Sequence, residues 1–116
     1  MKNYITEFIG TFFLVLAIGL TGNPIAIGTM LMVMVYMGGH ISGAHYNPAV
    51  SIAMIFRGLL SIKDAINYIL SQLAGAFLAA IFVQWVGGSV MEVGPSNTSS
   101  VLQILSVEAI LPLHLF

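Results

Sequence analysis

Apolar residues run in long blocks along this chain, and the polar positions between them mark where each block ends. The first block goes from Ile5 to about Leu20, interrupted only by Thr6, Glu7, Gly10, Thr11 and Gly19. A helix of that length, rising about 1.5 Å per residue, suffices to cross a bilayer. Thr21-Gly22-Asn23-Pro24 reads as a turn, because Gly and Asn accept unusual backbone angles and Pro suits the first turn of the next helix. The pattern thus predicts spans over about 5–22 and, with Gly38, Gly39 and Ile41 extending the short run Ile25 to Met37, over 24–41. A third span, 61–87, opens at Ser61-Ile62-Lys63-Asp64, a Ser-x-x-Asp arrangement that resembles a capping box. Ala74, Gly75, Ala76, Ala79 and Ala80 cluster small side chains within it, which in lipid lets helices pack backbone to backbone. After a polar loop through Ser100, a fourth apolar run begins at Val101.

Composition gives these blocks their solvent. Hydrophobic residues make up 59% of the chain and charged residues 6%, with a mean hydropathy of +1.03; a water-facing surface needs a far larger charged share. The apolar segments recur through all 116 residues, which a cleaved leader does not account for. The absence of Cys rules out a disulfide framework and thiolate metal sites. With a net charge of -1 and no basic face, nucleic acid is not an expected partner; the lipid bilayer is. Lys2 precedes the first span and Arg57 and Lys63 flank the entry to the third, so the positive-inside rule predicts a cytoplasmic N-terminus. The expected location is a multi-pass integral protein of a plasma or inner membrane.

The chemistry lies between the second and third spans, over 40–57. Asn47 suits an N-cap, Pro48 suits the first helical position where a missing N–H costs nothing, and Ala49 to Phe56 is apolar. A helix this short covers roughly half the hydrocarbon thickness, so the segment is expected to dip in and return. Backbone outside a helix is tolerated at that depth only where it is buried in protein or lines a wet cavity. Gly43, Ala44 and His45, just ahead of the cap, can turn their carbonyls into a ladder of acceptors, and the Asn47 side chain supplies a fixed donor. The positive end of the half-helix dipole disfavours cations there, so neutral polar solutes are the expected traffic. His40 and His45 lack a nearby carboxylate or Cys and are read as orienting the loop by hydrogen bonds; no metal or other cofactor is expected. Met30, Met32, Met34 and Met37 follow no single helical face and are assigned no role.

The stretch His40-Ile41-Ser42-Gly43-Ala44-His45-Tyr46-Asn47-Pro48-Ala49-Val50 closely resembles the first Asn-Pro-Ala loop of the aquaporins and glycerol facilitators, the major intrinsic proteins. Further similarity lies in Glu7-Phe8-Ile9-Gly10-Thr11-Phe12-Phe13-Leu14-Val15 and in Tyr68-Ile69-Leu70-Ser71-Gln72-Leu73-Ala74-Gly75-Ala76. The resemblance implies an all-α transmembrane, right-handed helix bundle, of which 1–100 would be the first of two inverted repeats and 101–116 the start of the second. It also implies homo-oligomers, usually tetramers with one pore per subunit. By this likeness Asn47, Pro48 and Ala49 lie at the pore centre with the carbonyls of Gly43, Ala44 and His45 beside them. Glu7 braces the loop, with Gln72 and His40 as further bracing candidates and Glu108 as the counterpart of Glu7. A carboxylate within a span is a functional or bracing candidate in its own right.

Two departures from the family pattern carry expectations. Ile27 falls where water-selective members usually have an aromatic at the narrowest constriction, which predicts a filter less restricted to water. At the end, Glu108-Ala109-Ile110 repeats the phase of Glu7-Phe8-Ile9, but Leu111-Pro112-Leu113-His114 breaks the pattern. With ATT TTA CCT TTA CAT TTA TTT as codons for Ile110 to Phe116, one T added after the first restores Ile-Phe-Thr-Phe-Thr-Phe-Ile. A one-base frameshift after Ile110 is therefore the expectation for this end. Two function classes follow: a channel for water or small neutral solutes such as glycerol, here an incomplete half-channel, or a non-conducting fragment that at most associates with full-length subunits. An enzyme is not expected, since no nucleophile, base and orienting group come together.

Overall fold

The computed structural model describes residues 1–87. Among them lie four helices and no strand: α1 Lys2–Thr21, α2 Pro24–Gly38, α3 Pro48–Phe56 and α4 Ile62–Trp85. Two of these, α1 with 20 residues and α4 with 24, are long and apolar enough to cross a membrane, while α2 is apolar but shorter. The fourth apolar run, Glu108 and the frameshift expected after Ile110 lie outside the described residues.

The helix ends follow from local chemistry. Gly22 adopts the left-handed conformation that closes α1, its N–H returning to the Ile18 carbonyl. The Asn23 side-chain oxygen then accepts from the N–H groups of Ile25 and Ala26 at 2.8 and 3.2 Å, with Pro24 opening α2. Ser61 Oγ accepts from the Asp64 N–H at 3.2 Å and starts α4. At its other end α2 stops at Gly38, short of Ile41. A helical turn carries on to the bond from the Gly43 N–H to the Gly39 carbonyl. Left-handed angles at Gly43 (φ 91°) and Ala44 (φ 55°) then steer the chain away from a helix.

α1 is the central element. Its Val15 packs with Ala76 and Ala79 of α4, while Leu14, one residue earlier and so on another face, packs with Met34 of α2 and Tyr46 of the loop. α1 and α4 run parallel. Tyr4 near the start of α1 donates to Asp64 Oδ1 near the start of α4 at 3.0 Å, Gly75 lies on the Phe8 carbonyl, and Gly19 near the end of α1 meets Val83 near the end of α4. Gly75 marks the closest approach, since a Cβ there would strike the backbone of Phe8. α2 runs antiparallel to α1, because Gly38 at its end sits on Thr6 near the start of α1.

α3 does not traverse the bundle. Its Ser51 is hydrogen bonded to Gln72, close to the middle of α4, and its C-terminus returns to the end where α4 begins. Nine residues give it a length of about 13 Å against roughly 36 Å for α4. The chain thus enters from one end, turns at mid-depth and leaves by the same end. Lys2, Arg57 and Lys63, the only Lys and Arg residues of the sequence, all belong to that end.

Candidate functional site: a re-entrant loop held by a buried carboxylate

The loop between α2 and α3 is fixed by Glu7, which is fully buried on α1. One carboxylate oxygen, Oε1, accepts from the Tyr46 N–H at 2.7 Å and from Gln72 Nε2 at 2.8 Å. The other, Oε2, accepts from Ser42 Oγ at 2.6 Å and from the His45 N–H at 3.1 Å. A carboxylate offers about four acceptor sites, so four donors saturate it. Each such bond to a charged acceptor contributes about 1.5–3 kcal/mol where water is excluded. Glu7 therefore does for this loop what a strand partner does for a sheet edge: it takes up backbone N–H groups that have no helix to join.

The network closes on itself through α3 and α4. Gln72 Nε2 also donates to Ser51 Oγ at 3.0 Å, and Ser51 Oγ lies 2.9 Å from His45 Nδ1. Ser51 Oγ thus joins the Gln72 amide to the His45 ring, accepting from Gln72 and sharing a hydrogen bond with His45 Nδ1. Tyr68 of α4 adds a bond from its hydroxyl to the Ser42 carbonyl at 2.8 Å, and its ring lies 5.0 Å from that of His45. Loop, half-helix, α1 and α4 are thereby held in one connected set of bonds.

Tyr46 supplies the apolar half of the anchor. Its side chain is buried between α1 and α2, against Gly10 and Gly38, and at both glycines an added Cβ would collide with it. Its hydroxyl donates to the Met34 carbonyl at 2.6 Å. Tyr46 also holds a left-handed backbone (φ 57°), a conformation costing of the order of 1–3 kcal/mol for a residue with a side chain. The bond from its N–H to Glu7 and the seat of its ring offset that cost.

These anchors position the residues that the sequence marks. Asn47 is buried and caps α3, its Oδ1 accepting from the Ala49 N–H at 2.8 Å, and Pro48 is the first helical residue. The loop N–H groups are used up, that of Ala44 on Ser42 Oγ at 3.2 Å and those of His45 and Tyr46 on Glu7. Among the described residues no hydrogen bond ends on the carbonyls of Gly43, Ala44 or His45. The arrangement leaves three carbonyls without a donor among the described residues, just ahead of the N-terminus of α3.

Ile27 and His40 stand apart from this site. Ile27 is in the first turns of α2, toward the opposite end of the bundle, and packs partly buried against the Leu14, Met34 and Tyr46 cluster. His40 is exposed on the turn after α2 and makes no hydrogen bond among the described residues. The turn at 39–42 carries the His40 side chain away from Glu7, so the bracing falls to Ser42 and His45 instead. Sequence reasoning gave no role to Ser42, Tyr46, Ser51 or Tyr68. Ser51 did carry a signal, as the one hydroxyl in an otherwise apolar half-helix.

The fold and site define a class: an integral membrane protein in which a half-length helix packs against α4 and the loop leading into it is tied to a buried carboxylate. The chain belongs to the major intrinsic protein family, whose family model matches residues 1–116. It is 34% identical to Aquaporin NIP1-1 of Arabidopsis thaliana, over 99% of this chain and 47% of the relative. It is 40% identical to the Glycerol uptake facilitator protein-like 6 of Lactiplantibacillus plantarum, over 72% and 43%. With Aquaporin Z of Photorhabdus laumondii the identity is 34%, over 86% and 49%. The chain spans less than half the length of these relatives. The family is one of channels rather than enzymes.

Proposed function

We propose that this chain forms one repeat of a transmembrane channel for passive movement of water or small neutral solutes such as glycerol, the passage being completed by a second repeat. The observation that carries the reading is the state of the loop backbone at mid-depth. Its N–H groups are consumed by Glu7 and Ser42, and the carbonyls of Gly43, Ala44 and His45 are left as acceptors. Unpaired carbonyls within a membrane call for water or a polar solute beside them. The adjoining N-terminus of α3 carries partial positive charge, which favours neutral molecules over cations. Water and glycerol are the solutes proposed because relatives carry the names aquaporin and glycerol uptake facilitator.

In this reading Asn47, Pro48 and Ala49 mark the centre of the passage and Ile27 a constriction toward the far end. The three cations at the Lys2 end support a cytoplasmic side for that end and for the N-terminus. The membrane is a plasma or inner membrane, and the complete channel is a homo-oligomer of the family's kind.

The test is osmotic swelling of proteoliposomes holding the chain either alone or joined to the second repeat of a relative. The joined form is expected to pass water or glycerol well above empty vesicles and to lose that flux on Glu7→Ala, while the chain alone passes little. A joined form that is folded and inserted yet no more permeable than empty vesicles overturns the channel reading.

A further inference from the structure

Away from the Glu7 network, the most distinctive surface is the turn joining α3 to α4. It is rigidly built. The Gly58 N–H returns to the Ile55 carbonyl and the Leu59 N–H to the Met54 carbonyl, both at 3.0 Å, with Gly58 left-handed at φ 73°. That pairing is the Schellman closure of a helix, and it satisfies the last carbonyls of α3 without help from any other element. The turn presents apolar side chains outward: Phe56 is 87% exposed, Leu59 66% and Ile62 67%.

Two cations flank them. The Arg57 and Lys63 side chains are exposed, and neither makes a hydrogen bond or an ion pair among the described residues. The carboxylate nearest in sequence, Asp64, is engaged elsewhere by the Tyr4 hydroxyl at 3.0 Å. The turn therefore joins two unneutralised positive charges to three exposed hydrocarbon side chains on a fixed backbone.

We infer that this turn is a docking site for an anionic phospholipid, its charged headgroup on Arg57 and Lys63 and its acyl chain along Phe56, Leu59 and Ile62. Charge complementarity selects this occupant. A second copy of the chain brings the same two cations to a symmetric contact at this turn and is repelled, whereas a lipid supplies the anion and the hydrocarbon in one molecule. The Lys2 end is where the positive-inside rule places the cytoplasmic leaflet, which carries the anionic lipids. Each cation close to such a surface strengthens binding about fivefold. The site is independent of whether the chain conducts.

The full chain in neutral detergent, titrated with phosphatidylglycerol or phosphatidylcholine and read by native mass spectrometry, tests the inference. The expected result is a preference for phosphatidylglycerol of roughly tenfold or more, lost in the Arg57→Gln/Lys63→Gln double variant and kept in Lys2→Gln. Glycerol phosphate, which has the anion without the hydrocarbon, is expected not to displace the bound lipid. Because both glutamine substitutions lie on the surface, unchanged helicity by circular dichroism separates loss of the site from loss of the fold. The inference is overturned if the two lipids bind equally, if the preference survives in the double variant, or if Lys2→Gln removes it to the same extent.

Discussion

The Tyr46 hydroxyl donates to the Met34 carbonyl at 2.6 Å, so a loop residue is pinned to the backbone of a helix that ended eight residues earlier. The pin works because the ring has somewhere to go: Gly10 and Gly38 leave a slot between α1 and α2 that the aromatic side chain fills. Tyr46→Phe keeps the ring and removes the bond, with an expected loss of about 1 kcal/mol. Gly10→Val puts atoms where the ring is and is expected to cost more, about 1–3 kcal/mol or beyond. Unfolding of purified protein in mixed micelles, followed by circular dichroism, measures both; equal stability of Gly10→Val and the parent would refute the slot.

Glu7 is the most demanding position. Glu7→Ala leaves the N–H groups of His45 and Tyr46 and the Gln72 amide without their acceptor in a site that water does not reach. At about 1–3 kcal/mol for each stranded group, the loop is expected to leave its seat. Glu7→Gln retains the shape but presents an NH₂ group to sites filled only by donors, so it too is expected to fail. A cysteine-accessibility assay at Asn47→Cys reads the outcome: labelling rises sharply in both Glu7 variants, and unchanged labelling would count against the brace.

The bond from Ser51 to His45 predicts a milder and separable effect. Ser51→Ala breaks the link between α3 and the loop while Glu7 still holds the His45 and Tyr46 N–H groups. The expected cost is about 1–2 kcal/mol, from the lost bonds to the His45 ring and to the Gln72 amide. Ser51→Thr keeps the hydroxyl and is expected to recover most of it. The same unfolding measurement distinguishes them, and equal losses in both variants would contradict the assignment.

Gly75 sets the distance between α1 and α4. A Cβ there meets the Phe8 carbonyl and lies 3.2 Å from the Phe12 nitrogen, both backbone atoms that cannot swing aside. Gly75→Leu is expected to force the helices apart, weakening the bond from Gln72 to Glu7 one turn away and so loosening the loop. Gly28, where an added Cβ meets nothing within 4 Å, is the control: Gly28→Leu is expected to be near neutral. A Gly75→Leu protein as stable as Gly28→Leu would show that the close crossing is unimportant.

Much of this was legible in the residues, and the reasons differ by element. The half-helix could be read because its signals are local: Asn47 and Pro48 are adjacent, and so are the atoms that cap it. The start of α4 at Ser61 was readable for the same reason. Glu7 was singled out by chemistry, since a carboxylate in an apolar run must find partners, but its partners lie 35 to 65 positions away and no spacing rule reaches them. Tyr46 is the clearest omission, for nothing in its neighbours says that two glycines on two other helices make room for it. His40 went the other way. It sits in the family's stretch of the chain, yet the turn points it outward.

The wiring of Glu7 also bears on how the protein is made. Synthesis delivers α1 to the bilayer carrying an acidic side chain, and the donors that neutralise its hydration loss are translated 35 to 65 residues afterwards. Until Gln72 emerges, the first helix is an unfinished lodger, at home in lipid only once its later neighbours arrive. Stable insertion of α1 is therefore expected to depend on segments translated after it, as far along as Gln72 of α4.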